Sequence, residues 1–378
     1  MTPQTIEAGR IRLRAYRPDD ADDLAAGCGD PVNLRFNPTM PRPYTLTDAR
    51  RWITEGAPAV WRAGGAAYAI VDAATDRLVG GGGLSQVVPA RGQAELGYWV
   101  SPGSRRRGIA TAATRALART AFRAGLNRLE LLIHAENPAS QRVALAAGFQ
   151  PEGVRRAAGR DRDGSRHDLH AWVRLAGDPP GPAPRPLPDL PGDRLTDDVV
   201  TLRRLAPPDA EALHRLHSRP EVVATRVRPV APTRADVARR CAVAESEWLT
   251  GRAADFALLD AATGTLAGGC ALIYDEPATG QAMIGYSLLP EARGRGLATR
   301  AVRLLTGWAF GPVGLARLWA GTATWNVVSQ RVLERAGFHR EGLMRARLPA
   351  HDAADRPDTV LWSLLPTDPL PLPHPFPG

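Results

Sequence analysis

Two short runs in this chain combine arginines with small residues in a way suited to holding an anion. Residues 105–111 read Arg-Arg-Arg-Gly-Ile-Ala-Thr, and residues 293–299 read Arg-Gly-Arg-Gly-Leu-Ala-Thr. Each Arg-x-x-Gly-x-Ala stands between a strand-like run closed by a Pro and an amphipathic stretch of helical period. The first amides of a helix have no intrahelical acceptor and sit at the positive end of its dipole. Small residues at Gly108 and Ala110, and again at Gly296 and Ala298, let an anion reach the main chain. Arg105, Arg106 and Arg107 add charge at longer range, as do Arg293 and Arg295. The chemistry this predicts is a pyrophosphate cradle spanning Arg105–Thr111, with a second at Arg293–Thr299. A single copy would be weak evidence, because Gly and Arg are common at helix starts.

The surroundings repeat as well. Asn137, Ser140 and Gly148-Phe149 follow the first loop; Asn326, Ser329 and Gly337-Phe338 follow the second. The loop glycines are 188 residues apart and the asparagines 189. That period is too long for a solenoid unit and marks a duplicated domain. Between the copies lies the Pro-rich stretch 178–193, which favours extended backbone and reads as a semi-rigid linker or strap. The organisation expected is a domain over 1–177, the linker, a domain over 194–366 and a Pro-rich tail over 367–378.

The elements that must position these residues repeat in order. Strands are expected at Ile11–Tyr16 and Val199–Leu205, each followed by a helix, a variable loop and a second helix (Leu46–Arg62; Arg234–Thr250). Three strands follow (Ala67–Asp72, Leu78–Val87, Ala94–Val100; Phe256–Asp260, Leu266–Tyr274, Ala282–Leu288). The loop opens a long helix (Arg107–Ala124; Arg295–Phe310). A strand comes next (Arg128–Ala135; Ala316–Thr324), then a short helix begun by the Asn, then two last strands. This is an α/β architecture, with helices on both faces of a mixed sheet in each half.

Composition narrows the function classes. All 48 basic residues are Arg and the net charge is +9, yet the arginines are spread over both halves among acids, so no nucleic-acid partner is expected. No apolar run is long enough to span a bilayer and no signal-peptide core opens the chain, so a cytoplasmic protein without a membrane partner is expected. Cys28, Cys241 and Cys270 are widely separated and read as reduced packing residues. His167-Asp168-Leu169-His170 puts its histidines on opposite faces of a strand, and no metal site is expected. Gly80–Gly83 lies within a strand pattern and marks a bulge or a close backbone approach beside a cleft.

Each half resembles the GCN5-related N-acetyltransferases, in the branch of the ribosomal-protein and aminoglycoside-type enzymes. The residues that carry the resemblance are Leu13-Arg14 and Leu202-Arg203, Glu95–Trp99 and Met283–Ser287, the two loops, Asn137–Ser140 and Asn326–Ser329, and Ala-Gly-Phe with Glu152 or Glu341 nearby. The resemblance implies a mostly antiparallel sheet with a splayed strand pair and acetyl-CoA as cofactor. The loop amides would hold its pyrophosphate. The main chain at Tyr98, Trp99 and Val100 (Leu288 in the second half) would hold the thioester carbonyl. Asn137 and Asn326 would contact the pantetheine arm, Ser140 would protonate the departing thiolate, and Ser329 is its counterpart. Both halves lack the acidic residue often found just after the loop, where Ala112 and Arg300 stand.

The acceptor implied is a primary amine of a small molecule or peptide, attacking directly without a covalent enzyme intermediate. Glu95 is the candidate base, sharing a strand face with Gly97 and Trp99; His134 is the second. Met283 and Ala323 replace them in the second half, so the first half is expected to be the catalytic one. Non-catalytic acyl-CoA binding by one or both halves is the rival. The sequence leaves oligomeric state open.

Overall fold

The computed structural model describes residues 3–227, 229–349 and 356–369. The chain divides into two compact units, Met1–Pro184 and Arg185–Gly378. The first contains strands β1 (Ile6–Ala8), β2 (Ile11–Arg14), β3 (Ala66–Asp72), β4 (Leu78–Val88), β5 (Gln93–Val100), β6 (Arg128–His134), β7 (Gln150–Arg160) and β8 (Arg166–Leu175). Its helices are α1 (Ala21–Cys28), α2 (Pro31–Phe36), α3 (Leu46–Arg51), α4 (Ala57–Arg62), α5 (Ile109–Arg123) and α6 (Pro138–Ala146). The second contains β9 (Arg194–Thr196), β10 (Val200–Arg204), β11 (Ala253–Asp260), β12 (Leu266–Glu276), β13 (Gln281–Leu288), β14 (Arg317–Ala323), β15 (His339–Met344) and β16 (Thr359–Leu364). Its helices are α7 (Ala210–His217), α8 (Pro220–Val223), α9 (Arg234–Leu249), α10 (Leu297–Phe310) and α11 (Val327–Arg335).

Among the described residues each unit builds one eight-stranded sheet, ordered β1-β2-β3-β4-β5-β6-β8-β7 and, mirrored, β15-β16-β14-β13-β12-β11-β10-β9. The parallel contact in each sheet is β5 with β6, or β13 with β14, and it is short. Gln93–Glu95 pair with Arg128–Glu130, and Gln281–Met283 with Arg317–Trp319. Beyond those residues the strands separate, leaving one main-chain edge of Leu96–Val100 without a strand partner. The closed end is pinned by one carbonyl. Gly92 O accepts from the amides of Asn127 (2.6 Å) and Arg128 (3.1 Å); Gly280 O accepts from Ala316 (2.9 Å) and Arg317 (3.3 Å). Both glycines are left-handed, with φ of +59° and +67°, where a side chain would be strained.

The buried side of α5 carries Ile109, Ala113, Ala116, Leu117 and Ala121, the helical stripe the sequence displays. The Arg14 and Arg203 positions are explained by packing. Arg14 grips Asp20 through two 2.8 Å bonds, and Arg203 grips Asp209 at 2.8 and 2.7 Å, each fastening a strand to the start of the next helix. In the Pro-rich stretch, the Ala183 amide donates to Leu145 O (2.8 Å) in the first unit. Leu187 and Leu190 enter the core of the second, where Trp248 Nε1 donates to Pro188 O (3.0 Å).

Two features depart from expectation. Short strands β1 and β9 extend each sheet by a hairpin that the sequence did not signal. The helix expected over Leu46–Arg62 contains a π-turn at Trp52–Gly56, whereas α9 is regular. Residues 370–378 of the expected tail lie outside the described residues.

Candidate functional site

The loop before α5 is shaped by two left-handed residues, Arg106 (φ +60°) and Gly108 (φ +76°). In the second unit the same positions are Gly294 (φ +76°) and Gly296 (φ +72°). Gly108 and Gly296 are the N-caps of α5 and α10, and neither supplies a capping side chain. The first amide to close back onto each turn is Ala112, onto Gly108 O at 3.0 Å, and Arg300, onto Gly296 O at 3.2 Å. The amides of Ile109, Ala110 and Thr111, and of Leu297, Ala298 and Thr299, are the donors left over at each helix start. Among the described residues, and its chain neighbours aside, no atom lies within 4 Å of where a Cβ on Gly108 would stand. A pyrophosphate therefore fits: donors converge, the dipole is positive, and the space above the glycine is open.

The arginines divide by role. Arg105 is bound to Asp30, the N-cap of α2. Arg293 donates to Leu288 O (3.1 and 3.0 Å) and pairs with Glu221 (3.1 Å); Arg295 pairs with Asp260 (2.7 Å). Arg106 and Arg107 are exposed. Ala110 and Thr111 are half-buried, whereas Ala298 and Thr299 are buried, so the first loop is the more accessible.

The β5–β6 gap is spanned by a pair of hydroxyls. Tyr98 Oη lies 2.8 Å from Ser140 Oγ at the start of α6, and Tyr286 Oη lies 2.8 Å from Ser329 Oγ. Asn137 and Asn326 cap their helices, each accepting through Oδ1 from the serine amide (3.2 and 3.1 Å). Burial raises the Tyr98 and Tyr286 phenols above their ordinary pKa, so both remain protonated donors at neutral pH. The sequence directed attention to the main chain at Tyr98 and passed over its hydroxyl; the signal available was the recurrence of Tyr at 286. Val100 O accepts from Asn33 Nδ2 (3.3 Å). The Trp99 ring faces away from the gap, across Gly27 and Gly81.

Glu95 is the last β5 residue paired with β6, directly beside Glu130. Burial pushes its carboxyl pKa up; the Glu130 charge adds to this and Arg155 opposes it. Arg155 is bound to Glu130. The three side chains, with Arg128, line a pocket of about 320 Å³. Both arginines that line the pocket are engaged with carboxylates, Arg155 with Glu130 and Arg128 with Glu130 (3.7 Å) and Glu152, and burial beside a second carboxylate is the setting that raises a carboxyl pKa and makes it a stronger base. The second unit keeps Arg317 at the Arg128 position but lacks the other three: Met283 stands beside Trp319, and Met344 occupies the strand position of Arg155. Glu130 and Arg155 were missed in the sequence, although their loss together with Glu95 was visible at the repeat offset.

His134, at the end of β6, accepts through Nδ1 from the Glu136 amide (3.0 Å). That bond places the neutral ring's proton on Nε2, making His134 a donor towards its surroundings rather than an acceptor. Its ring packs on Phe36 and His167 (centroids 5.8 and 4.5 Å), and burial lowers its pKa, with His167 adding to the effect. Glu152 and Glu341 are latches: Arg128 and Arg317 bind them in bidentate fashion.

On the face bearing Gly97 and Trp99 lies a cleft of about 350 Å³, floored by Gly81–Gly83 and walled by Tyr16, Tyr44, Trp52 and Trp99. Close approach is the use of the glycine run: a Cβ on Gly83 would lie 2.0 Å from Ala66 O. The three cysteines are buried and free. Among the described residues no group of three or more His, Cys, Asp and Glu could hold a metal ion, and no helix is long and apolar enough to cross a membrane.

A splayed parallel pair, a helix start aimed into the opening and hydroxyls across it, all present twice, give the protein the build of a tandem acyltransferase. The acetyltransferase (GNAT) domain family matches residues 10–150 and 200–339, and the chain belongs to that family, whose members use acetyl-CoA. It is 48% identical over 64 residues to the probable N-acetyltransferase YjcK of Bacillus subtilis, covering 17% of this chain and 35% of that protein. It is 30% identical over 155 residues to the uncharacterized N-acetyltransferase p20 of Bacillus licheniformis, covering 40% of this chain and 86% of that one. A solved putative ribosomal-protein-serine acetyltransferase from Vibrio cholerae matches 46% of this chain and 99% of its own, with 24% identity and a TM-score of 0.41.

Proposed function

We propose that the chain is an acetyl-CoA-dependent N-acetyltransferase of a primary amine, and that the first unit carries the chemistry. The observation that supports this is the Glu95–Glu130–Arg155 cluster at the closed end of the β5–β6 gap, replaced throughout by Met283, Trp319 and Met344. Acetyl-CoA, when bound, supplies an acyl group activated as a thioester. The amides of Ile109, Ala110 and Thr111 hold its pyrophosphate, and the free edge of β5 at Tyr98–Val100 binds along its arm and meets the carbonyl oxygen. Glu95 takes the proton of the incoming ammonium, directly or through a water, and its raised pKa suits it to that transfer. Ser140 passes its hydroxyl proton to the departing sulfur. Tyr98 Oη orients Ser140 and supports the oxygen left behind. Glu95 and Tyr98 are three steps apart on the strand, about 10 Å, so base and acid flank the reacting atoms.

The second unit keeps the loop and the Tyr286–Ser329 pair without the carboxylates. This favours a CoA-binding role there, as sensor or scaffold. No nucleic acid or membrane enters this reading, and a cytoplasmic setting agrees with three reduced cysteines.

The test is Glu95→Gln in the full chain, assayed by release of CoA thiol with a panel of amines. Turnover should fall about 100-fold near neutral pH, and less at high pH where the amine is already unprotonated. Full activity in that variant, together with loss in a loop variant of the second unit, would assign catalysis to the other half.

A further inference from the structure

Beside the proposed chemistry the first unit carries a cleft whose walls say what the amine is attached to. Its lining contains no Asp, Glu, Arg or His among the described residues. The walls are aromatic and fixed in place. Trp52 lies across Gly56, where a Cβ would come within 2.5 Å of its ring, and Trp99 lies on Gly27, where a Cβ would come within 2.3 Å. Tyr16 meets Trp52 edge to face, at 6.3 Å and 86°. Trp52 stands on the π-turn, a local device that re-aims a side chain and recurs at functional sites. Tyr44 and Met40, from the loop after α2, close the side.

The second unit is an internal control, because the same fold positions carry different walls. Strand register and helix caps equate Trp52 with Arg240, Ala67 with Asp255, Trp99 with Ser287 and Tyr16 with Leu205. Arg240 and Asp255 form an ion pair, at 2.5 and 3.1 Å, where the first unit has a ring and an open floor. The aromatic walls are therefore not a requirement of the fold.

We propose that the acceptor of the first unit is a primary amine carried on a flat, apolar, aromatic body, with no carboxylate and no second cationic group. This rests on the acetyl-transfer reading for the fate of the amine. Rings stack against Trp52 and Trp99, and the reacting ammonium is tolerated by ring faces until Glu95 takes its proton. A further charge on the acceptor would lose its water and find no partner in the cleft. That disfavours free amino acids, polyamines and aminoglycosides as acceptors.

The experiment compares 2-phenylethylamine and tryptamine with phenylalanine, which adds only a carboxylate, and with spermidine, which adds charges. Thiol release gives kcat/KM on the full chain. Calorimetric titration of each amine in the presence of CoA gives binding independently of turnover. The aryl amines should exceed phenylalanine and spermidine in kcat/KM by about 100-fold or more. Trp52→Arg, which copies the second unit, and the milder Trp52→Leu should each weaken aryl-amine binding at least tenfold. Both should leave acetyl-CoA binding unchanged, which also reports that they are folded. Equal use of phenylalanine or spermidine overturns the proposal, as does aryl-amine binding indifferent to both Trp52 variants or no binding at all. Aryl-amine binding that depends on Trp52 without any thiol release would sustain the proposal and overturn the acetyl-transfer reading instead.

Discussion

The paired hydroxyls allow a test with its control built into the same chain. Tyr98→Phe removes one oxygen, 2.8 Å from Ser140 Oγ, and Tyr286→Phe removes its counterpart, 2.8 Å from Ser329 Oγ. Each deletes a part-buried neutral hydrogen bond, so each should lower the stability of its own unit by about 1 kcal/mol. The consequences for catalysis should differ. In the first unit the lost hydroxyl orients the proton donor for the leaving sulfur. Losing about 1–2 kcal/mol of transition-state stabilisation there means roughly a 10-fold fall in kcat, with little change in the KM for acetyl-CoA. Tyr286→Phe should leave kcat unaltered.

The assay is thiol release at saturating amine, with unfolding of each unit followed in parallel. A double-mutant cycle sharpens the result. Ser140→Ala alone should cost about 100-fold in kcat, and Tyr98→Phe added to it should cost nothing further, because the tyrosine acts through the serine. The reasoning fails if Tyr98→Phe slows turnover as much in the Ser140→Ala background as in the otherwise unaltered chain. It fails equally if the two tyrosine variants lose the same amount, since both units would then be catalysing.

Two further outcomes bear on the loops. Gly108→Glu places a carboxylate where the anion belongs, and should weaken CoA binding to the first unit roughly 100-fold through the loss of charge-assisted bonds and added repulsion. Gly296→Glu should do the same to the second unit alone, so calorimetry of the two variants separates the sites; one shared effect would show that the loops do not bind independently. Arg106 holds a left-handed backbone that Gly294 adopts without strain. Arg106→Gly should therefore stabilise the first unit by about 1 kcal/mol and raise its Tm by about 2–4 °C, with Gly294→Arg doing the reverse in the second, as thermal unfolding would record.

Much of the architecture was legible because it rests on local rules. The glycines of the loops, the Asn caps and the short apolar run of β3 each state their own conformation, and the duplication states each of them twice. The splay could not be read locally. It depends on pairing that ends after Glu95 and Glu130, residues 35 positions apart in sequence, and on the Gly92 carbonyl that pins the closed end. Glu130 and Arg155 went unnoticed because a charged residue on a strand reads as solvated until the partner strand is known. The placement of Trp52 could not be read locally either, because helical period says which side is buried, but not that a π-turn aims the ring at a cleft. The Arg14–Asp20 clamp was legible only as a resemblance; its cause is a buried ion pair between adjacent elements.

The differences between the units follow a physical division. What both keep, the arginine–aspartate clamps, the glycine pins, the caps and the hydroxyl pair, fastens one element to the next. What only the first keeps is costly to hold. Glu95 has a raised pKa, so its unit binds that proton more tightly folded than unfolded. The sign of the linkage follows: the contribution to stability is present below the unfolded carboxylate value, and it is lost as pH rises through the higher folded one. Once charged, Glu95 is a burden on the fold, retained for its chemistry, which is the usual conflict between stability and activity. The second unit shows the alternative at the same place, with Met283 packed beside Trp319. Glu95→Met should accordingly abolish turnover while raising the Tm of the first unit. The gain should be larger at pH 8 than at pH 4, because more of the wild-type carboxylate is charged at the higher pH. An equal gain at both pH values would mean that packing alone accounts for it, and the carboxylate would lose its standing as a base held at the expense of the fold.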